Sequence, residues 1–111
     1  MSKKVQRFGQ VIQVKPDKLE LYKYHHANPW PEVNAMIKKC HMENYSIYYR
    51  DGYLFSYFEY TGDNFEADMA MMAEDSKTQE WWALVKPFQN PLATKTEDEW
   101  WSDMEEVYHL D

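Results

Sequence analysis

Asn44-Tyr45-Ser46-Ile47-Tyr48-Tyr49-Arg50-Asp51-Gly52-Tyr53-Leu54-Phe55-Ser56-Tyr57-Phe58-Glu59-Tyr60 is the stretch that decides the architecture. Its two halves are rich in aromatic and β-branched residues, and Asp51-Gly52 separates them by two positions. Asp-Gly between two such runs is a strong hairpin signal. Asn44–Arg50 and Tyr53–Tyr60 therefore read as paired antiparallel strands. Toward the N-terminus, Arg7–Val14 reads as another strand. Phe8, Ile12 and Val14 share one face with Gln10 among them, and Val11 looks the other way. Pro16 suits the first turn of a helix. Leu19, Tyr22, Lys23 and His26 then fall on one side at i, i+3, i+4 and i+7. Asn28-Pro29-Trp30-Pro31 must interrupt that helix, because a proline inside one costs about 3 kcal/mol. The helical pattern resumes with Val33, Met36, Ile37 and Cys40, so one kinked helix or two short ones are expected.

Toward the C-terminus, Asp63 with Glu66 reads as a capping box opening a helix whose buried stripe is Phe65, Met69 and Met72. Ser76 with Gln79 reads as a second box, starting a turn that carries Trp81-Trp82-Ala83-Leu84-Val85 until Pro87 and Pro91 stop it. Residues 87–101 look irregular, which suggests a lid or interface loop. Met104–Leu110 reads as the last strand. The resulting order, β-α-β-β-α-β, is that of an α+β ferredoxin-like antiparallel sheet with helices on one side. The chain has no internal repeat and no linker, so residues 1–111 read as a single domain. Both faces of the strands are apolar, yet helices can cover only one. A partner sheet from a second copy is the simplest cover for the other, and a homodimer is expected.

The charge balance excludes several classes of function. The net charge of −7 lies wholly in residues 74–111, and residues 1–73 are neutral. Nucleic-acid binding needs a basic stripe to displace counterions, and none exists. The longest apolar runs, such as Met69–Ala73, are five residues, against about 20 for a membrane span. The N-terminal Met1-Ser2-Lys3-Lys4 stretch lacks the apolar core of a signal region. One cysteine cannot form an internal disulfide, which fits a reducing compartment, so a cytoplasmic protein is expected.

Among groups that could carry chemistry, the familiar motifs for zinc hydrolysis, serine nucleophiles and phosphate cradles do not occur. Three glycines cannot build a glycine-rich loop. His25 and His26 point about 100° apart on a helix and cannot chelate one metal together. Tyr22 and His26, at i and i+4, bring a phenol and an imidazole to the same small volume. The imidazole can exchange protons near neutrality. The alternative is a helix histidine bonded to a backbone carbonyl freed by Pro29 or Pro31. Of the consecutive Trp81 and Trp82, only one can point fully into the core, and Trp30 and Trp100-Trp101 pose the same problem. Indole faces stack against sugar C–H faces, whereas sugar hydroxyls call for amides, carboxylates and phenols. The alternative is that these rings fill a small core and an interface. Cys40, on an apolar stripe, reads as packing rather than nucleophile, and Glu97-Asp98-Glu99 as a solvated loop.

Taken together, these residues resemble the L-rhamnose mutarotase family nearly end to end. The resemblance rests on Tyr22, then His26-Ala27-Asn28-Pro29-Trp30-Pro31-Glu32, and on Asn44-Tyr45-Ser46-Ile47-Tyr48. It continues through Gln79-Glu80-Trp81-Trp82 to Glu106-Val107-Tyr108. It implies a ferredoxin-like domain that dimerises in an α/β-barrel type assembly. It also implies interconversion of the α and β anomers of a 6-deoxy sugar, without metal or organic cofactor. By the same resemblance His26 is the proton donor, and Tyr22, Tyr45, Trp81 and Trp82 bind the sugar. The extra His25, a longer loop before the Trp pair and the segment Glu97–Trp101 depart from the family pattern and leave the sugar open, L-fucose included. The general base is open too: water, a carboxylate or His26 itself. Two other functions fit the same scaffold, a non-catalytic sugar-binding or interaction module and a cofactor-free oxygenase.

Overall fold

A computed structural model describes residues 4–111 of the chain. The expectation about the extreme N-terminus rests partly on residues 1–3, outside the described part. The hairpin forms as expected. Strands β2 (Met42–Arg50) and β3 (Tyr53–Tyr60) pair antiparallel with Arg50 opposite Tyr53. Asp51 and Gly52 take φ of 53° and 89°, the two positive values that a tight hairpin turn needs to match strand twist. Strand β1 (Gln6–Val14) pairs along the other side of β3, with Ile12 opposite Leu54 and Phe8 opposite Phe58.

The irregular segment and the last strand differ from expectation. Gln89–Asn90 forms a two-residue strand, β4, against Gln13 and Val14. Ser102–Met104 forms β5 against Gly9–Val11. Both thus lie along one edge of β1, in an antiparallel sheet of five strands with order β2-β3-β1-β4. Four strands were expected, with the last over Met104–Leu110. Pro91 has no N–H to continue the ladder after Asn90. Beyond Met104 the residues carry no regular structure. Val107, Tyr108 and Leu110 are 86%, 76% and 76% exposed, because the chain offers them no surface to cover.

The proline-rich interruption splits the first helical region into α1 (Leu19–Ala27) and α2 (Pro31–Lys39), after a 3-10 turn at Pro16–Lys18. Lys23 is exposed, its ammonium 5.8 Å from the Tyr49 ring centre, so it does not join the buried side with Tyr22. Helices α3 (Phe65–Glu74) and α4 (Ser76–Val85) follow. Each cap lies one residue from the expected position. Asn64, not Asp63, accepts the Ala67 N–H. Asp75, not Ser76, accepts both the Thr78 N–H and its hydroxyl, each at 2.9 Å. Gln79 donates instead to the Ala73 carbonyl. Adjacent polar residues offer equivalent oxygens, and the one left in extended backbone becomes the cap.

The helices cover the face carrying Ile12, Val14, Leu54, Phe58 and Tyr60, all buried. Cys40, fully buried beside Met36, is packing, as expected. Each large apolar side chain removed from water on this face contributes about 1.5–3 kcal/mol. The opposite face presents Tyr48, Tyr53 and Phe55, of which Tyr48 is 67% exposed. Among the described residues no helix is long and apolar enough to cross a membrane.

Candidate active site

Between the helices and the inner face of the sheet lies a cavity of about 940 Å³. Tyr22, His26, Tyr45, Trp81 and Trp82, the five positions singled out from the sequence, all line it. Three elements bring them there.

Helix α1 supplies Tyr22 and His26. Their rings stack at 4.0 Å between centres, 23° from parallel. His26 Nδ1 donates to the Tyr22 carbonyl at 2.8 Å. A carbonyl only accepts, so Nδ1 carries the proton and Nε2 keeps its lone pair. Bonding of His26 to a backbone carbonyl was one sequence alternative. The carbonyl is that of Tyr22 in its own helix, not one freed by the prolines. The two readings coexist, because the bond orients a ring that still faces the cavity. Burial pushes the His26 pKa down against that hydrogen bond, and His25 adds to the depression. His25 itself stacks on Phe88, 5.9 Å between ring centres.

Tyr45 reaches the cavity through an irregularity in β2. Glu43 pairs with Glu59 and Ser46 with Tyr57, so β2 holds one residue more than β3 over that span. Asn44 takes up the excess at φ 52°, a left-handed conformation that Asn tolerates. Side chains alternate along a strand. The extra residue therefore turns Tyr45 to the same face as Met42, where its ring stacks on Phe58 at 5.3 Å. Tyr45 is 38% exposed as a residue. The surroundings of its hydroxyl nonetheless push the phenol up to about 12. Burial raises the Tyr22 phenol further, with Tyr45 adding to the rise. Both phenols are neutral near pH 7, hydrogen donors rather than anions.

Helix α4 supplies the indoles. Trp81 is buried and meets both His26 and Trp30 edge-on, each at 5.3 Å between ring centres. Trp82 is half-buried, its ring 5.2 Å from the Lys86 ammonium. One of the pair is thus inside and the other at the boundary, as two consecutive helical residues must be.

The structure adds residues not chosen from sequence. Trp100, Trp101, Gln10 and Gln89 also line the cavity. Trp100 Nε1 donates to Gln89 Oε1 at 2.8 Å, and Gln89 Nε2 lies 3.4 Å from the Tyr22 hydroxyl. Glu99 holds the Trp pair in place by accepting the Thr96 and Asp103 N–H groups, each at 2.9 Å. That carboxylate is more than part of a solvated loop. Gln10 donates to Asp103 at 2.8 Å, and its place on an apolar strand face was a visible signal. Gln89 left none, because its partners are 67 and 11 positions away. Among the described residues no group of three or more His, Cys, Asp or Glu could hold a metal ion.

An aromatic-walled cavity with phenols, amides and one imidazole whose Nδ1 is engaged has the chemistry to stack on apolar faces, bond hydroxyls and exchange a proton. Residues 7–110 match the family model for L-rhamnose mutarotase, and the chain belongs to that family. It is 36% identical to an L-rhamnose mutarotase of Oceanobacillus iheyensis, over 96% of this chain and all of that one. It is 33% identical to one from Lactiplantibacillus plantarum, over 95% and 98%. A Dictyostelium discoideum protein of the UPF0734 group is 32% identical over 94% and 89%. The crystal structure of an L-rhamnose mutarotase from Formosa agariphila shares the fold, with a TM-score of 0.74, 19% identity and 96% and 99% coverage.

Proposed function

We propose that this chain is an isomerase that interconverts the α and β anomers of L-rhamnose, with His26 moving the proton. Family membership supports the reaction and the sugar. The observation that carries the mechanism is the His26 Nδ1–H bond to the Tyr22 carbonyl, which leaves Nε2 free as a base on the cavity side of a ring held neutral by burial.

In the proposed sequence Nε2 removes the proton from the anomeric O1–H. The O1 electrons form the aldehyde as the C1–O5 bond breaks, and O5 takes a proton as it leaves. O1 and O5 are both bonded to C1, so the imidazolium formed at the first oxygen is placed to return its proton to the second. The C1–C2 bond then turns. Recyclisation on the other aldehyde face runs the transfers in reverse. A depressed pKa makes His26 the base first and the donor afterwards, which refines the donor role implied by the resemblance. Tyr22 and Tyr45 donate hydrogen bonds to sugar oxygens, and Trp81 and Trp82 cover an apolar face or the methyl group. A positioned acid–base group typically contributes about 10²–10⁴-fold. The test is NMR exchange spectroscopy over a panel of reducing sugars including L-rhamnose and L-fucose, wild type against His26→Ala. Exchange should fall by about that factor. Undiminished exchange would overturn the role of His26, and faster exchange of another sugar would overturn the choice of substrate.

We further infer a ferredoxin-like sheet that pairs face to face with a second copy. The strand order β2-β3-β1-β4 and the uncovered aromatic face with Tyr48, Tyr53 and Phe55 support that reading. Light scattering at micromolar concentration should give the mass of two chains; that of one would refute it. A single buried thiol, Cys40, supports work in a reducing compartment such as the cytoplasm.

A further inference from the structure

The Trp100–Gln89–Tyr22 chain has a direction. An indole N–H can only donate, so the Gln89 atom at 2.8 Å from Trp100 Nε1 is the carbonyl oxygen. That assignment leaves the Gln89 NH₂ group, which only donates, facing the Tyr22 hydroxyl at 3.4 Å. The phenol oxygen must then accept from Gln89. A phenolic hydrogen lies near the ring plane and has two orientations, and the one toward Gln89 meets another hydrogen. Gln89 and Tyr22 are 5% and 4% exposed, so water does not compete freely for these positions. The amide itself is anchored. Gln89 sits opposite Val14 at the edge of β1, and the Lys15 N–H donates to the neighbouring Phe88 carbonyl at 2.8 Å.

We infer that Gln89 is a positioning residue, locked by Trp100, that turns the Tyr22 hydroxyl so that its hydrogen is offered to an acceptor oxygen of the bound sugar. The inference deepens the mutarotase reading and rests on it for the identity of that sugar. Of the three residues only Trp100 lies within Glu97–Trp101, the segment that departs from the family pattern.

Gln89→Glu tests it. The introduced carboxylate can still accept from Trp100 with one oxygen, but its other oxygen accepts from Tyr22 and draws the phenolic hydrogen away from the sugar. Exchange of L-rhamnose anomers should fall about tenfold, the worth of one misdirected hydrogen bond. The rate relative to wild type at the same pH should recover toward acidic pH, where the protonated carboxyl donates to Tyr22 as the amide did. Trp100→Phe keeps the ring and removes the N–H; it should give a smaller loss and serves if the first variant does not fold. In a Tyr22→Phe background both effects should shrink below about twofold, because the hydroxyl they act through is gone. A wild-type rate in Gln89→Glu, or a loss that persists undiminished in Tyr22→Phe, would overturn the inference. A wild-type protein that does not accelerate the exchange would instead defeat the mutarotase reading. The orientation is then decided by NMR of the protein alone. Tyr22→Phe should shift the Gln89 side-chain NH₂ signals and Gln89→Leu the Trp100 indole N–H, and if neither moves the inference fails.

Discussion

Asn44 is the residue through which the backbone of β2 sets the active site, and its replacement has a calculable cost. Its φ of 52° suits Asn and Gly but crowds a β-branched side chain. Forcing such a residue into that region costs about 1–3 kcal/mol. Asn44 Nδ2 also donates to Glu59 at 3.0 Å on an exposed part of the sheet, where water replaces a lost bond. Asn44→Gly meets no strain and should be about 0.5–1 kcal/mol less stable, from the greater freedom of glycine in the unfolded chain. Asn44→Val meets the strain, so about 1–3 kcal/mol is expected. Urea denaturation of both variants, with unchanged m-values, measures the difference. The same variants carry a functional signature. A strand that shifts to relieve the strain turns Tyr45 off the Phe58 ring, so Asn44→Val should also lose anomer exchange while Asn44→Gly keeps most of it. A valine variant as stable and as active as the glycine variant would refute the argument that this irregularity places Tyr45.

Gly62→Ala should destabilise the fold by about 2–4 kcal/mol, measured by thermal or chemical denaturation. An added Cβ would meet the Tyr60 hydroxyl and Asp68 Oδ2, and Tyr60, 1% exposed, has nowhere to retreat. A change under about 0.5 kcal/mol would contradict this. His26 gives a pH dependence of defined sign. Its folded pKa lies below the unfolded value of about 6.5, so between the two the unfolded chain binds more protons and stability rises with pH. The contribution is complete above about pH 6.5 and is lost as pH falls through the folded value. The difference in stability between wild type and His26→Ala should therefore change over that window, and a flat difference would refute the depression. Phe55→Lys on the uncovered sheet face should halve the mass seen by light scattering and leave the far-ultraviolet circular dichroism unchanged; an unaltered dimer mass would show that the face is not the contact.

Interactions that span a few residues were legible from the chain alone. Asp51-Gly52 encodes its hairpin because both positive φ values are local properties. The i, i+4 spacing of Tyr22 and His26 guarantees a shared helix face, and their rings do stack. The prolines at 29 and 31 end one helix and start the next for reasons internal to proline. Tertiary structure decided the rest. The turn of Tyr45 into the cavity depends on how many residues of β2 stand against β3, a count no single strand contains. That Gln89–Asn90 and Ser102–Met104, rather than Met104–Leu110, pair with β1 depends on which part of its edge each segment can reach. The link from Trp100 through Gln89 to Tyr22 joins residues distant in sequence. Propensity and periodicity report the backbone's local preferences. A bond between distant residues exists only after the sheet has closed and its entropy cost has been met by burial elsewhere.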